Sequence, residues 1–379
     1  MKFGVPELED LPDVSGKSVL VRVDFNVPIS DGVIGDDLRI RAALPTLNWL
    51  VEHGANVTAC THLGRPKGEV NPKFSVGPVR DRLAELAPSV TLSENLRFSP
   101  GEEANDPAFV RQLVAGHDLY VNDAFGASHR AHASIVGPPQ TLQSAAGRLL
   151  ALEVETLLNV REHPTRPFVA ITGGSKVSDK LGVIRALLDI ADDLIIGGGM
   201  CFTFLAARGN GIGRSLFEPE QVDICRALLD EHGERVHLPH DIVALSPDGV
   251  LFQPDAGGEV RHFGASLPDG WMGVDIGPGT SAEFGDLIAD AGTILWNGPM
   301  GVFEDRRFEA GTRHIAEAVA DSRGYSVIGG GDSAAAAAQF GVADRVSFIS
   351  TGGGASLELI ENGDLPGLAA LRTASNAAA

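Results

Sequence analysis

RPFVAITGGSK (residues 166–176) decides the fold: a β-branched apolar run empties into a glycine pair and is followed by a helix-like segment. The same pattern returns as DDLIIGGGM (192–200), GYSVIGGGDS (324–333) and RVSFISTGGGAS (345–356). Such a run reads as a strand buried on both faces, and glycines at its exit let a ligand approach the backbone without Cβ atoms in the way. The following helix offers unpaired N–H groups and the positive end of its dipole. Four such turns in one half of a chain favour a bound polyanion over plain turn geometry.

Outward from these turns, strand-like SVLVRV (18–23), ANVTAC (55–60), VTL (90–92) and DLYVN (118–122) alternate with helical stretches near 37–53, 76–86 and 106–115. This βαβ series predicts a mostly parallel sheet. A helix with apolar Leu149, Leu150, Leu152, Val154, Leu157 and Leu158 follows and ends near His163-Pro164, the natural bridge between domains. A second series runs from Phe168 to about Leu359, with helices beginning near Ser178, Met200, Pro219, Ala282 and Ser333. Leu245–Pro268 is rich in turn residues and reads as an antiparallel excursion. The expected fold class is α/β, with two doubly wound, Rossmann-like parallel-sheet domains: 1–148, an inter-domain helix over 149–164, and 165–364.

Composition excludes several partners. The chain has 379 residues, 44% hydrophobic but only 6% aromatic, enough for two ordinary cores and hardly for one. A formal charge of -20 repels nucleic acid and anionic membrane, so anionic substrates require a local positive cluster. Three cysteines without a C-x-x-C pair fit a reducing cytosol, and no leader or spanning segment is evident. The expected location is the cytoplasm.

The positive cluster is written into the first half. Arg22, Arg39, Arg65, Arg97 and Arg130 stand at or just beyond strand ends, with His62 and His129 beside two of them. The carboxyl ends of parallel strands open on one crevice, where guanidinium forks suit carboxylate or phosphate. Individually, each could instead pair with Asp24, Glu94 or Asp123 and hold a loop. In the second half Lys176 and Lys180 lie four apart in GGSKVSDK. On a helix they would share a face at its positive end, an unfavourable placement that a polyphosphate would reverse. Asp332 in GGGDS reads equally as a helix N-cap or as a ligand of Mg2+, which takes one or two carboxylates plus substrate phosphates.

Taken in order, RVDFNVP, HLGRPKG, ENLRF, NDAFGASHRAH, GGSKVSDK, GGGMCFTFL, WNGPMGVFE, GGGDS and STGGGAS closely resemble phosphoglycerate kinase over nearly the whole chain. The resemblance implies reversible phosphoryl transfer between ATP with 3-phosphoglycerate and ADP with 1,3-bisphosphoglycerate, with Mg2+, on two domains that close about a hinge. It implies that Asp24, Asn26, Arg39, His62, Arg65, Arg97 and Arg130 bind the acid. Lys176, Lys180, Gly198, Asn297, Glu304, Gly330, Gly331, Asp332 and Ser333 would handle the nucleotide, with Glu304 on the ribose and the metal at Asp332. Arg39, Lys176, Lys180 and Gly331 would act on the groups in transfer. The family's chain end returns to the first domain, which would place about 365–379 there.

Four departures accompany the resemblance, the tail after Leu371 being one. Between Leu86 and Leu92 the family ordinarily carries a further strand and helix; Ser333 stands where threonine is frequent, and Gly279 where lysine is. The acceptor carboxylate is already ionised at pH 7, with a pKa of about 3–4, so no general base is required. No Ser/His/Asp or paired-carboxylate constellation offers one. A dehydrogenase reading lacks G-x-G-x-x-G, and a P-loop reading lacks G-x-x-x-x-G-K-[ST]. The surviving alternative is a non-catalytic relative that keeps the nucleotide site on a shortened first domain.

Overall fold

The computed structural model describes residues 2–378; Met1 and Ala379, which fall in the expected first domain and its returning tail, lie outside the described residues. The chain divides into two compact units, one running to Leu158 and resuming at Gly354, the other Asn159–Gly353.

The first unit contains, in chain order, β1 (Ser18–Val23), the hairpin β2 (Ile29–Ser30) and β3 (Val33–Ile34), α1 (Leu38–Glu52), β4 (Asn56–Cys60), α2 (Gly77–Leu86) and β5 (Thr91–Leu92). There follow α3 (Pro100–Glu103), α4 (Pro107–Val114), β6 (Leu119–Asp123), α5 (Ala133–Val136) and β7 (Gln143–Ala146). Its parallel sheet has the order β5-β4-β1-β6-β7. β1 is buried at every residue after Ser18 and β6 throughout, so both faces of the sheet centre are covered. On one face Val19, Val21 and Val23 join Ile40, Leu47 and Leu50 of α1 and Val79 and Leu83 of α2 in a single core. β7 escapes the sequence reading because QSAA lacks a β-branched run. Only Ala87–Val90 separates α2 from β5, which leaves β5 at the edge of the sheet.

α6 (Arg148–Glu162) carries the chain from the first unit into the second. Its first turn is held by Asp123, whose carboxylate accepts the N–H groups of Leu149 at 2.9 Å and Leu150 at 3.2 Å. Burial pushes the Asp123 carboxyl up to about 7.

The second unit contains β8 (Phe168–Thr172), α7 (Leu181–Ile190), β9 (Asp193–Ile196), α8 (Cys201–Ala207), α9 (Val222–His232), β10 (Val236–His237) and β11 (Asp241–Leu245). β12 (Val260–Gly264), β13 (Met272–Ile276), α10 (Pro278–Ala289), β14 (Thr293–Asn297), α11 (Ala310–Asp321), β15 (Tyr325–Ile328), α12 (Gly331–Gln339) and β16 (Phe348–Ile349) complete it. Six strands form a parallel sheet in the order β10-β9-β8-β14-β15-β16. β8 and β14 are buried at every residue, and Ile171, Ile195, Trp296 and Ile328 share a core with Phe284, Ile315 and Val319. The expected excursion over 245–268 is wider than read: the separate antiparallel sheet β12-β11-β13 runs from Asp241 to Ile276, and only β12 lies wholly inside the expected bounds.

Two placements correct the sequence reading. α7 starts at Leu181, not near Ser178, because residues 175–180 form a turn; Lys176 and Lys180 therefore share no helix face. α13 (Gly354–Asn362) belongs with the first unit, where it packs beside Phe125–Ala127, although the reading assigned everything to 364 to the second domain. STGGGAS resembles the other glycine turns too closely to mark a boundary. α14 (Pro366–Ala378) packs on β7 and α5 of the first unit.

Candidate active site

At the carboxyl ends of β1 and β4, the first unit assembles most of the expected acid pocket. Arg39, from the first turn of α1, donates through Nη1 to Asp24 Oδ2 and to the Asn26 carbonyl, both at 3.2 Å. The Asn26 amide oxygen accepts the Gly64 N–H at 2.9 Å, and Arg97 donates to the Gly64 carbonyl at 2.8 Å, so the HLGRP loop is tied from two sides. His62 is buried with Nδ1 4.0 Å from Asp24 Oδ1. Burial drives its pKa well below the ordinary value, against the pull of Asp24. Burial alone would raise Asp24; the guanidinium groups of Arg39 and Arg22 help to hold it below the usual carboxylate range. Arg65 and Arg130 are exposed; Arg130 donates to His129 Nε2 at 3.1 Å, and Arg65 has no ion pair among the described residues.

Arg22 does not belong to that set. It is fully buried, donating to Ser134 Oγ at 2.8 Å, to the Val23 carbonyl at 2.5 Å and to His62 Nδ1 at 3.1 Å. Nor do Glu94 and Asp123 pair with pocket arginines: Glu94 accepts the N–H groups of Val76 and Asn95, and Asp123 caps α6.

In the second unit the strand exits differ from one another. After β8 and β9 the glycine backbones are packed together: Gly173 N–H is bound to the Asn297 carbonyl, Gly197 N–H to Thr172, Gly198 N–H to Met300 and Met200 N–H to Gly174. A Cβ on Gly173 would stand 2.0 Å from the Pro299 carbonyl oxygen, and one on Gly198, at φ +63°, 2.5 Å from the Gly174 nitrogen. Those glycines are explained by the protein itself. After β15 the helix begins at once: Gly330 turns at φ +90° and α12 opens at Gly331, where a Cβ would meet nothing within 4 Å. Here a helix starts at a glycine with open space beside it and no side-chain cap, as the strand-glycine-helix reading requires.

Lys180 reaches back into the same region. Its ammonium donates to the Gly173 carbonyl and Asn297 Oδ1, each at 2.6 Å, and to the Asn297 carbonyl at 3.1 Å, which uses all three of its N–H bonds. Burial lowers its pKa to about 8, partly opposed by the charges of Asp332 and Asp179. Asn297 also donates to the Gly329 carbonyl at 2.8 Å, joining β14 to the turn after β15. Lys176 is exposed on the neighbouring turn, whose Val177 and Ser178 N–H groups are held by Glu218. Asp332 is an exposed carboxylate in the first turn of α12. Ser333 is buried, and its hydroxyl accepts the Gly298 N–H at 2.5 Å, an internal bond.

A cleft of about 380 Å3 extends from these turns, with Gly174, Gly198, Glu304 and Asp332 on its rim. Its walls are apolar: Phe202, Leu216, Ile242, Phe252, Met272 and Val274. This size and lining suit a flat heteroaromatic group with a polar tail. Sequence reasoning missed these walls, half of which come from the antiparallel sheet; the apolar run in DIVAL and the alternation in MGVDI were the signals that could have found them.

Comparison with known proteins gives the family. The phosphoglycerate kinase profile matches residues 8–93 and 87–363. The chain belongs to the phosphoglycerate kinase family. Its phosphoglycerate kinase relatives include that of Rubrobacter xylanophilus, 50% identical over 95% of this chain and 96% of the relative, and that of Roseiflexus castenholzii, 49% identical over 96% and 98%. Among solved structures, phosphoglycerate kinase from Coxiella burnetii superposes with a TM-score of 0.89 at 38% identity, covering 97% of this chain and 99% of that one. The family profile divides at 87–93, where α2 runs directly into β5 and the sequence reading places a missing strand and helix.

Proposed function

We propose that this chain transfers the γ-phosphoryl group of ATP to the carboxylate of 3-phosphoglycerate, reversibly, with the acid on the first unit and the nucleotide on the second. The observation that carries this reading is an arginine pocket on the first unit and, on the second, an apolar cleft with the first turn of α12 at its rim. An ionised acceptor asks only for positioning and charge stabilisation, and guanidinium, ammonium and backbone N–H groups supply both.

In this reading Arg65, Arg97, Arg130, His62, Asn26 and Asp24 bind and orient the acid. Arg39 and Lys176 meet the oxygens in transfer, and Lys180 and the N–H groups at Gly331 meet the nucleotide phosphates. Lys180 must release a carbonyl or Asn297 to do so. Glu304 takes the ribose at the rim, and the base lies between the apolar walls. Ser333 shapes the site through its bond to Gly298. In-line transfer needs acceptor and donor in contact, so the reacting state requires the two units to close on each other about α6.

Asp332 fits a Mg2+ role of limited extent. Among the described residues no cluster of three or more His, Cys, Asp or Glu could hold a metal alone, so the ion would be held by Asp332 together with nucleotide phosphates. When bound, Mg2+ neutralises phosphate charge. No helix is long and apolar enough to cross a membrane among the described residues, and the three cysteines are free and buried. We read the protein as a cytoplasmic monomer. A coupled assay for ADP formation from Mg-ATP and 3-phosphoglycerate tests the function. Turnover that needs both substrates is expected; Mg-ADP binding without turnover would instead support the non-catalytic relative.

A further inference from the structure

Beneath the acid pocket lies a chain of buried polar groups that runs from Glu102 through Ser134 and Arg22 to His62. Glu102 is fully buried; its Oε2 accepts the Ser134 N–H at 3.0 Å and its Oε1 the Ser134 hydroxyl at 2.6 Å. With that proton committed, Ser134 Oγ offers only lone pairs, and Arg22 Nε–H occupies one at 2.8 Å. Arginine has no acceptor atom. Its Nη1 is spent on the Val23 carbonyl, and its Nη2 points at His62 Nδ1 from 3.1 Å. A donor on that side demands a lone pair on Nδ1, so the ring proton sits on Nε2.

The groups facing the imidazole agree. Asp24, at the end of β1, is the carboxylate that most favours a proton on His62, and its Oδ1 lies 4.0 Å from Nδ1, beyond hydrogen-bond reach. Against it stand Arg22 from β1, Arg39 from α1 and Arg97 from the ENLRF turn, together with burial of the ring. We propose that Glu102 and Ser134, acting through Arg22, are positioning residues that lock His62 as the neutral Nε2–H tautomer, an uncharged donor in the anion pocket. The pocket's positive charge then comes from its arginines alone. The inference rests on reading this pocket as the acid site, but the tautomer is measurable without turnover.

The deciding experiment is a long-range 1H–15N spectrum of the full chain with 15N-labelled histidine, between pH 5.5 and 8. The His62 signal is identified by its loss in His62→Gln. A protonated Nε2 and bare Nδ1, unchanged over that range, are expected. A proton on Nδ1, or conversion to imidazolium within the range, would overturn the proposal. Arg22→Met removes the donor and should give mixed tautomers, with a KM for 3-phosphoglycerate raised about tenfold and an unchanged KM for ATP. Ser134→Ala, which frees the guanidinium to turn, should move both readouts the same way by less, and serves if Arg22→Met does not fold. A His62 that stays wholly Nε2–H in both folded variants would refute the chain, and if neither folds the parent spectrum decides. The expected spectrum in a protein that does not turn over 3-phosphoglycerate would sink the functional reading and leave this one standing.

Discussion

In the proposed reading the two units answer the same need, holding an anion, with different parts of the amino acid. The first uses side chains: Arg39 and Arg97 are braced by Asp24, Asn26 and Gly64, which are in turn tied to a buried network. The second uses backbone: glycine turns pack against one another after β8 and β9 and leave a bare helix N-terminus after β15. The difference matters for what a substitution does. A pocket of side chains can lose one member and keep its shape, whereas a site made of packed backbone loses its fold with its function.

The sharpest break in that comparison is Arg39→Ala. If Arg39 stabilises charge mainly in the transition state, kcat should fall by roughly two to three orders of magnitude while both KM values and the melting temperature move little. Arg39→Lys should recover part of the rate, since a point charge lacks the fork. Steady-state kinetics giving a kcat within a few-fold of the parent would return Arg39 to a loop-holding role with Asp24.

On the backbone side, Gly173→Ala and Gly331→Ala should part company. The first drives a Cβ to 2.0 Å from a backbone oxygen and should cost about 2 kcal/mol or more of stability, visible in thermal melts. The second meets nothing in the protein, so melting should stay near the parent while the KM for ATP rises about tenfold. Equal melting losses in both would erase the distinction between the packed and the open turn.

Arg65→Ala probes the side-chain unit at an exposed position. It should raise the KM for 3-phosphoglycerate about tenfold, with kcat, ATP affinity and stability nearly unchanged, because it removes binding common to ground and transition states.

The smallest effect concerns pH. Lys180 has its pKa lowered to about 8, and its charged form is the one that attracts phosphate. Raising pH from 7 to 9 neutralises it in the free protein, so binding ADP must take up a proton and affinity should decline by a few-fold. Calorimetry in buffers of different ionisation enthalpy reads that proton directly, and Lys180→Arg should flatten the slope. An ADP affinity independent of pH across this range would argue that Lys180 is structural.

Much of this was legible in the sequence. Both parallel sheets show in β-branched runs because their central strands are buried on both faces, and the antiparallel excursion shows in its turn residues. Arg39, His62 and Arg97 lie together as their positions at strand exits imply. What failed was anything that depends on where a backbone group finds its partner. Four similar glycine turns proved unlike, because packing against Pro299, Met300 and Asn297 leaves no trace in a motif's letters. Arg22 looked like its neighbours until Ser134, 112 residues away in sequence, turned it inward.

The chain's return to the first unit has a bearing on how the molecule is made. α13 and α14 pack against Phe125–Ala127, β7 and α5, elements translated more than two hundred residues earlier. Strands β8 to β16 of the second unit are all translated before those helices. The unit that begins first is thus finished last, and until then the side of β7 that α14 covers stays open to water and to chaperones.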